Sequence, residues 1–186
     1  MTKSLCILLA DGFEESEAVV PADLLKRLGV NITFASVSNK AEVIGTHGFK
    51  IMSDTSIINI SVNDFDALML PGGLPGTTNL RDSKEVISLI QQFYNKEKII
   101  SAICAAPIVL KDAGIADNKR ITGYPDCEQF SLKHKFSFTG NDVEIDGKII
   151  TAKAMGKAHL FAFAIAKAMG FSDDDIKQLS ASTFTN

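Results

Sequence analysis

Cys104 stands where an apolar run ends and Ala105-Ala106-Pro107 opens a helical pattern. A residue at a strand-to-helix turn projects its side chain from the top of a sheet. The amides that follow it are helix-start donors without backbone partners, and the helix dipole favours an anion beside them. The chemistry this points to is nucleophilic attack by a thiolate whose pKa is lowered by that setting. The competing reading is a small buried hydrophobe, the usual state of a free cysteine.

Two other segments have residue types that would serve such a nucleophile. Asp11-Gly12-Phe13-Glu14-Glu15-Ser16-Glu17 follows the first apolar run and opens a helix. Compensation of a helix dipole accounts for one or two of the three glutamates. A third is available to accept a hydrogen bond from Cys104 or to move a proton. The residues alone do not separate Glu17 from Glu14 and Glu15. Pro21 has no N–H for the Glu17 carbonyl, so the helix is expected to be irregular there. Pro71-Gly72-Gly73 ends another apolar run. It reads either as a plain turn or as a place where Gly72 and Gly73 amides approach a developing oxyanion. His47 and His134 read as loop surface residues, and His159 as a packed or solvated helix residue rather than a base.

The elements that must position these residues alternate. Buried strands are predicted at 3–9, 31–37, 66–70 and 98–103, from short β-branched and apolar runs. Helices are predicted at 15–28, 83–95, 105–113 and 157–169, from apolar residues at helical spacing and closing glycines. A hairpin over 42–58 turns at Gly45 to Gly48. Two more strands, at 136–138 and 143–152, carry an Asp146-Gly147 hairpin turn. Ser172 with Asp175 forms a capping-box pattern for a last helix. Strands alternating with helices imply an α/β, doubly wound sandwich, a mainly parallel sheet with helices on both faces, in a single domain over 1–186. In such sheets ligands bind beyond the carboxyl ends of the strands, where all three unusual segments fall.

The rest of the sequence narrows the function by exclusion. A net charge of −3 gives no basic field for nucleic acid. The longest apolar stretch falls short of the ~20 residues that span a bilayer, and no leader pattern opens the chain. Three cysteines, Cys6, Cys104 and Cys127, do not make a disulfide framework. They point to reduced thiols and a cytoplasmic setting. Histidines and cysteines lack the close pairing of a zinc site, so neither metal nor cofactor is expected.

The chain resembles the ThiJ/PfpI superfamily nearly end to end, most closely its parkinsonism-associated deglycase branch and bacterial relatives. The residues that carry the resemblance are Gly12-Phe13-Glu14-Glu15-Ser16-Glu17-Ala18, Leu70-Pro71-Gly72-Gly73 and Ala102-Ile103-Cys104-Ala105-Ala106-Pro107, in that order and spacing. The resemblance implies a flavodoxin-like sandwich, a homodimer and an oxidation-sensitive nucleophile at Cys104. It implies that Glu17 is the glutamate beside the cysteine, and that Gly73 and Ala105 amides face the reacting oxygen. It further implies glutathione-independent glyoxalase or deglycase activity on small reactive carbonyls or glycated proteins, or a role as redox sensor or oxidative-stress chaperone. Tyr124 stands where some members have a histidine near the cysteine, and a tyrosine is a poor proton shuttle near neutral pH. Ala105 replaces the histidine of protease-like members, which argues against peptidase activity. Ala154-Met155-Gly156-Lys157 replaces the usual Gly-Pro-Gly-Thr. An amidotransferase-like module is disfavoured, since only His159 could activate the cysteine and Phe161 stands where a glutamate is needed.

Overall fold

The computed structural model describes residues 2–131 and 135–185. Its centre is a seven-stranded sheet ordered β10-β11-β7-β6-β1-β2-β5, with β1 at Ser4–Leu9, β2 at Asn31–Ser36, β5 at Thr55–Ser56 and β6 at Ala67–Leu70. β7 spans Ile99–Ile103, and β10 (Val143–Asp146) and β11 (Ile149–Ala152) complete it. All neighbours pair in parallel except β10 with β11, the antiparallel hairpin. A small antiparallel ribbon, β3 (Glu42–Ile44) with β4 (Lys50–Met52), and a short parallel pair, β8 (Arg120–Ile121) with β9 (Ser137–Phe138), lie outside the sheet.

Strands buried on both faces are apolar at nearly every position, which is why they read as continuous runs; the buried Ser101 and Thr151 hydroxyls are hydrogen-bonded. Along β1, Leu5, Ile7 and Leu9 pack with α1 (Glu15–Arg27), α6 (Ala158–Ala168) and α7 (Asp173–Thr183). Cys6 and Leu8 point the other way, toward α3 (Lys84–Asn95) and α4 (Pro107–Asp112). Two short helices, α2 (Gly76–Asp82) and α5 (Glu128–Ser131), belong to the loops above the sheet. Ser172 and Asp175 form the reciprocal capping box at the start of α7.

The α/β sandwich expected from the alternation is observed, and so is the hairpin turning at Gly45 to Gly48. Three local expectations change. α1 runs unbroken through Pro21. α4 begins only at Pro107, leaving Ala105 and Ala106 in a turn. α2, built from the weak helix formers Gly76, Thr77, Thr78 and Asn79, gave no periodic signal. His134 lies outside the described residues.

From β1 the chain runs through α1 to β2 on one side, then by way of the ribbon and β5 returns to β6 on the other side of β1. This reversal is a topological switch point. The carboxyl ends of β1, β6 and β7 are adjacent there, with Leu70 opposite Ala102.

Candidate active site

Cys104 directly follows β7 and has φ 62°, a left-handed conformation that costs a non-glycine residue of order 1–2 kcal/mol. Bonds on both sides hold the turn. Its N–H donates to the Ala152 carbonyl at 2.9 Å, and its carbonyl accepts the Tyr124 N–H at 2.8 Å. The Cys127 thiol donates to the same carbonyl at 3.5 Å. Gly123 is required beneath it, because a Cβ there would lie 2.8 Å from the Cys104 oxygen.

Glu17, in the first turn of α1, is 1% exposed and reaches under the loop after β6. Its Oε2 accepts the Gly72 N–H at 2.9 Å, and the carboxyl also bonds the Cys104 side chain and the Met155 N–H. A Cβ on Gly72 would stand 2.6 Å from Glu17 Oε2 and 2.7 Å from Cys104 Cβ. The glycine is therefore a requirement of the pair's close approach. Its amide serves Glu17, so it is not open to a substrate oxygen. The Gly73 N–H bonds to none of the described residues, and the Ala105 N–H points at the Cys104 sulfur.

Burial lifts the Glu17 pKa to about 7, against the pull of its bonds to Cys104, Gly72 and Met155. Cys104 is pushed up to about 12, first by burial and then by the charge and hydrogen bond of Glu17, with the Ala105 amide opposing. The acidic thiol expected from a helix start is thus corrected: one amide does not outweigh burial beside a carboxylate. The rise at Glu17 governs the pair. An ionised Glu17 suppresses the thiolate, whereas a protonated Glu17 removes that repulsion and can donate to sulfur.

Above the pair opens a cavity of about 660 Å³, whose lining includes Gly73, Cys104, Ala105, Tyr124 and Cys127. Tyr124 is half-exposed at its rim. His47 lines it too, which its reading as a loop surface residue did not anticipate. The ribbon turn is tied to the start of α1 by Thr46 N–H to the Phe13 carbonyl at 2.8 Å, and His47 Nδ1 lies 2.9 Å from Glu15 Oε2. That bond, then Glu14, raises the His47 pKa. Nothing in the local sequence signals this long-range pairing. His159 sits on α6 with its ring edge-on to Phe163 and is not part of the cavity lining.

Glu14, Glu15 and His47 also place donor atoms within 4.8 Å of one another. Glu15 Oε1 already accepts the His47 N–H and Oε2 faces His47 Nδ1, while Glu14 Oε1 accepts the Ser16 hydroxyl at 2.8 Å, so the three have hydrogen-bond partners within the chain. Among the described residues, no helix is long and apolar enough to cross a membrane.

Comparison with known proteins agrees with this architecture. The DJ-1/PfpI family profile matches residues 3–168. Protein dj-1beta of Drosophila melanogaster is 35% identical over 170 residues, covering 91% of this chain and 90% of the relative. The Parkinson disease protein 7 homolog of Danio rerio is 30% identical over 169 residues, covering 90% and 89%. Two Arabidopsis thaliana DJ-1 homologues are longer, and the chain spans 38% and 43% of their length. The crystal structure of Drosophila melanogaster DJ-1beta superposes with a TM-score of 0.94 at 32% identity, covering 99% of this chain and 98% of that one. Oxidized Toxoplasma gondii DJ-1 superposes with a TM-score of 0.90 at 27% identity, covering 98% of each chain. The switch-point crevice, the elbow cysteine and these matches agree: the chain belongs to the DJ-1/PfpI family.

Proposed function

We propose that this protein is a cysteine-dependent, glutathione-independent glyoxalase or deglycase acting on methylglyoxal-type 2-oxoaldehydes or their protein adducts. The observation that carries the reading is the buried Glu17 carboxyl, near neutral in pKa and hydrogen-bonded to Cys104. Glu17 takes the thiol proton as sulfur attacks the aldehyde carbon and passes it to the new oxygen, giving a neutral hemithioacetal whose oxygen is placed for the Gly73 and Ala105 amides and restoring the Glu17 carboxylate. Glu17 then moves the C1 proton to C2 through an enediol, leaving a thioester. Water cleaves it to the 2-hydroxy acid and restores the thiol. The sum is oxoaldehyde plus water to hydroxy acid, with no external oxidant or reductant. Tyr124 at the rim orients the substrate without shuttling protons.

The same thiol supports a second reading, as a redox sensor or stress chaperone. Cys104 is more accessible than Cys6 or Cys127, and a protonated Glu17 can donate to an oxidised sulfur. We further infer a homodimer in a reducing, cytoplasmic setting. The exposed apolar residues Val19 and Val20 on α1, with Phe49 and Met52 on the ribbon, support the dimer.

The deciding assay is lactate formation from methylglyoxal without glutathione, by the parent, Cys104→Ser and Glu17→Gln. Turnover lost in both variants supports the enzyme. No turnover in the parent, with peroxide adding oxygen selectively at Cys104, moves the function to the sensor.

A further inference from the structure

Water must cleave the thioester that the proposed steps leave on Cys104, and those steps assign that water no base. Glu17 is 1% exposed and is not part of the lining of the cavity above Cys104, so it serves the sulfur from beneath rather than water arriving from above. Of the other titratable groups on that lining, Arg81 cannot accept a proton, and burial pushes the Cys127 thiol up to about 12. Tyr124 is a phenol, a poor proton acceptor near neutral pH, and Glu14 and Asp126 are carboxylates, by nature weaker bases than an imidazole. Among the described residues of the lining, that leaves His47.

The fold holds His47 as a base is held. Its Nδ1 lies 2.9 Å from Oε2 of the buried Glu15, whose Oε1 accepts the His47 N–H at 2.8 Å. A carboxylate on Nδ1 keeps the proton on that nitrogen and leaves Nε2 as the acceptor of the ring. With 64% of its side-chain surface exposed, the ring is open to water. Its neighbours tie it to the loop after β6. The Thr46 hydroxyl donates to the Leu74 carbonyl at 2.9 Å. The Glu14 N–H donates to the Gly72 carbonyl at 2.9 Å, and Glu14 Oε2 lies 3.6 Å from His47 Nδ1. The Gly72 carbonyl and the Gly73 N–H belong to one peptide group, so a single residue separates the ring from the proposed oxyanion donor. Glu15 first, then Glu14, raises the His47 pKa above its ordinary 6.5, and Arg81 and Asp126 are the other charges on the lining.

We propose that His47, oriented by Glu15, is the general base of the water step, a catalytic residue supplied by the β3–β4 ribbon. His47 Nε2 accepts a proton as the water oxygen adds to the thioester carbon, and the Gly73 and Ala105 amides meet the oxyanion. The C–S bond then breaks with its electron pair on sulfur, and the proton on His47 passes through solvent to restore the thiol. The products are the hydroxy acid, the Cys104 thiol and neutral His47. The inference rests on the proposed cysteine chemistry for its natural substrate, but any acyl group on Cys104 tests it.

p-Nitrophenyl acetate acylates a cysteine directly, releasing p-nitrophenolate, and so loads Cys104 without the oxoaldehyde steps. Hydrolysis of acetyl-Cys104, followed by intact mass, should slow about 10²-fold in His47→Gln, while the p-nitrophenolate burst keeps its size. Imidazole added to His47→Ala should restore the rate, a rescue that a merely structural side chain would not permit. With methylglyoxal, His47→Gln should accumulate a lactoyl thioester on Cys104 that hydroxylamine releases. A parent that forms no lactate, with acetyl-Cys104 still longer-lived in His47→Gln, defeats the glyoxalase reading and upholds His47 as the base. Acetyl-Cys104 that hydrolyses at the parental rate in His47→Gln overturns the proposal, and so does a slowed rate that imidazole leaves unchanged in His47→Ala.

Discussion

The Glu17 carboxyl is hydrogen-bonded to the Cys104 side chain at a depth where Glu17 is 1% exposed and its pKa reaches about 7. The relationship fixes the sign of a pH effect on stability. A carboxyl raised from 4.5 folds most favourably while protonated, so stability is highest below the unfolded pKa. It declines as pH rises from there through 7, because the unfolded chain releases the proton first. Glu17→Gln removes the titration. It should raise the Tm relative to the parent at pH 8, by the equivalent of up to about 3 kcal/mol, and gain little at pH 5. Thermal unfolding at the two values checks this, and a difference independent of pH would refute it.

Nucleophilicity and proton transfer should separate in the same variant. A neutral glutamine removes the charge that helps hold the Cys104 pKa up. Alkylation of Cys104 by iodoacetamide at pH 8 should therefore quicken, by about tenfold for each unit by which the pKa falls, since the thiolate is the reactant. Methylglyoxal turnover should drop by ~10²–10⁴-fold, because glutamine cannot carry the proton. Measuring both rates on one preparation is decisive. If both fall together, Glu17 only holds Cys104 in place.

The parts legible in the sequence were those with local causes. The buried strands could be read because β6 is apolar throughout and β7 departs only at Ser101, whose hydroxyl donates to the Leu68 carbonyl. The elbow could be read because Cys104 directly follows such a strand. The choice of Glu17 over Glu14 and Glu15 came from resemblance, since it depends on which helix position faces Gly72 across 55 residues of chain. The Met155 amide on Glu17, the Cys127 thiol under Cys104 and the approach of His47 are long-range contacts that leave no periodic trace. The thiol's pKa direction was misjudged for a related reason. Burial and the partner carboxylate are properties of the packed site, whereas helix-start amides are visible in sequence.

Gly72 tests how tightly the pair is held. In Gly72→Ala the new methyl would meet Glu17 Oε2 at 2.6 Å and Cys104 Cβ at 2.7 Å, so the two side chains must part. Overpacking of this kind costs typically about 1–3 kcal/mol. Chemical denaturation should show a loss in that range, and turnover should fall further than stability explains, with the remaining folded fraction still poorly active. Full activity in a folded Gly72→Ala protein would mean that the carboxyl–thiol contact is not needed for catalysis.

The backbone at Cys104 offers a comparison free of thiol chemistry. At φ 62° a Cβ is strained and glycine is not. Cys104→Gly and Cys104→Ala both lack the sulfur, so their difference isolates the conformation. The glycine variant should be the more stable by about 1–2 kcal/mol in urea unfolding, although both are inactive. That excess is the strain the fold sustains to present a nucleophile above the sheet. It is sustained because the Ala152 carbonyl, the Tyr124 amide and the Cys127 thiol leave the turn no other arrangement. An alanine variant as stable as the glycine variant would place the left-handed residue elsewhere and remove strain from the account of this site.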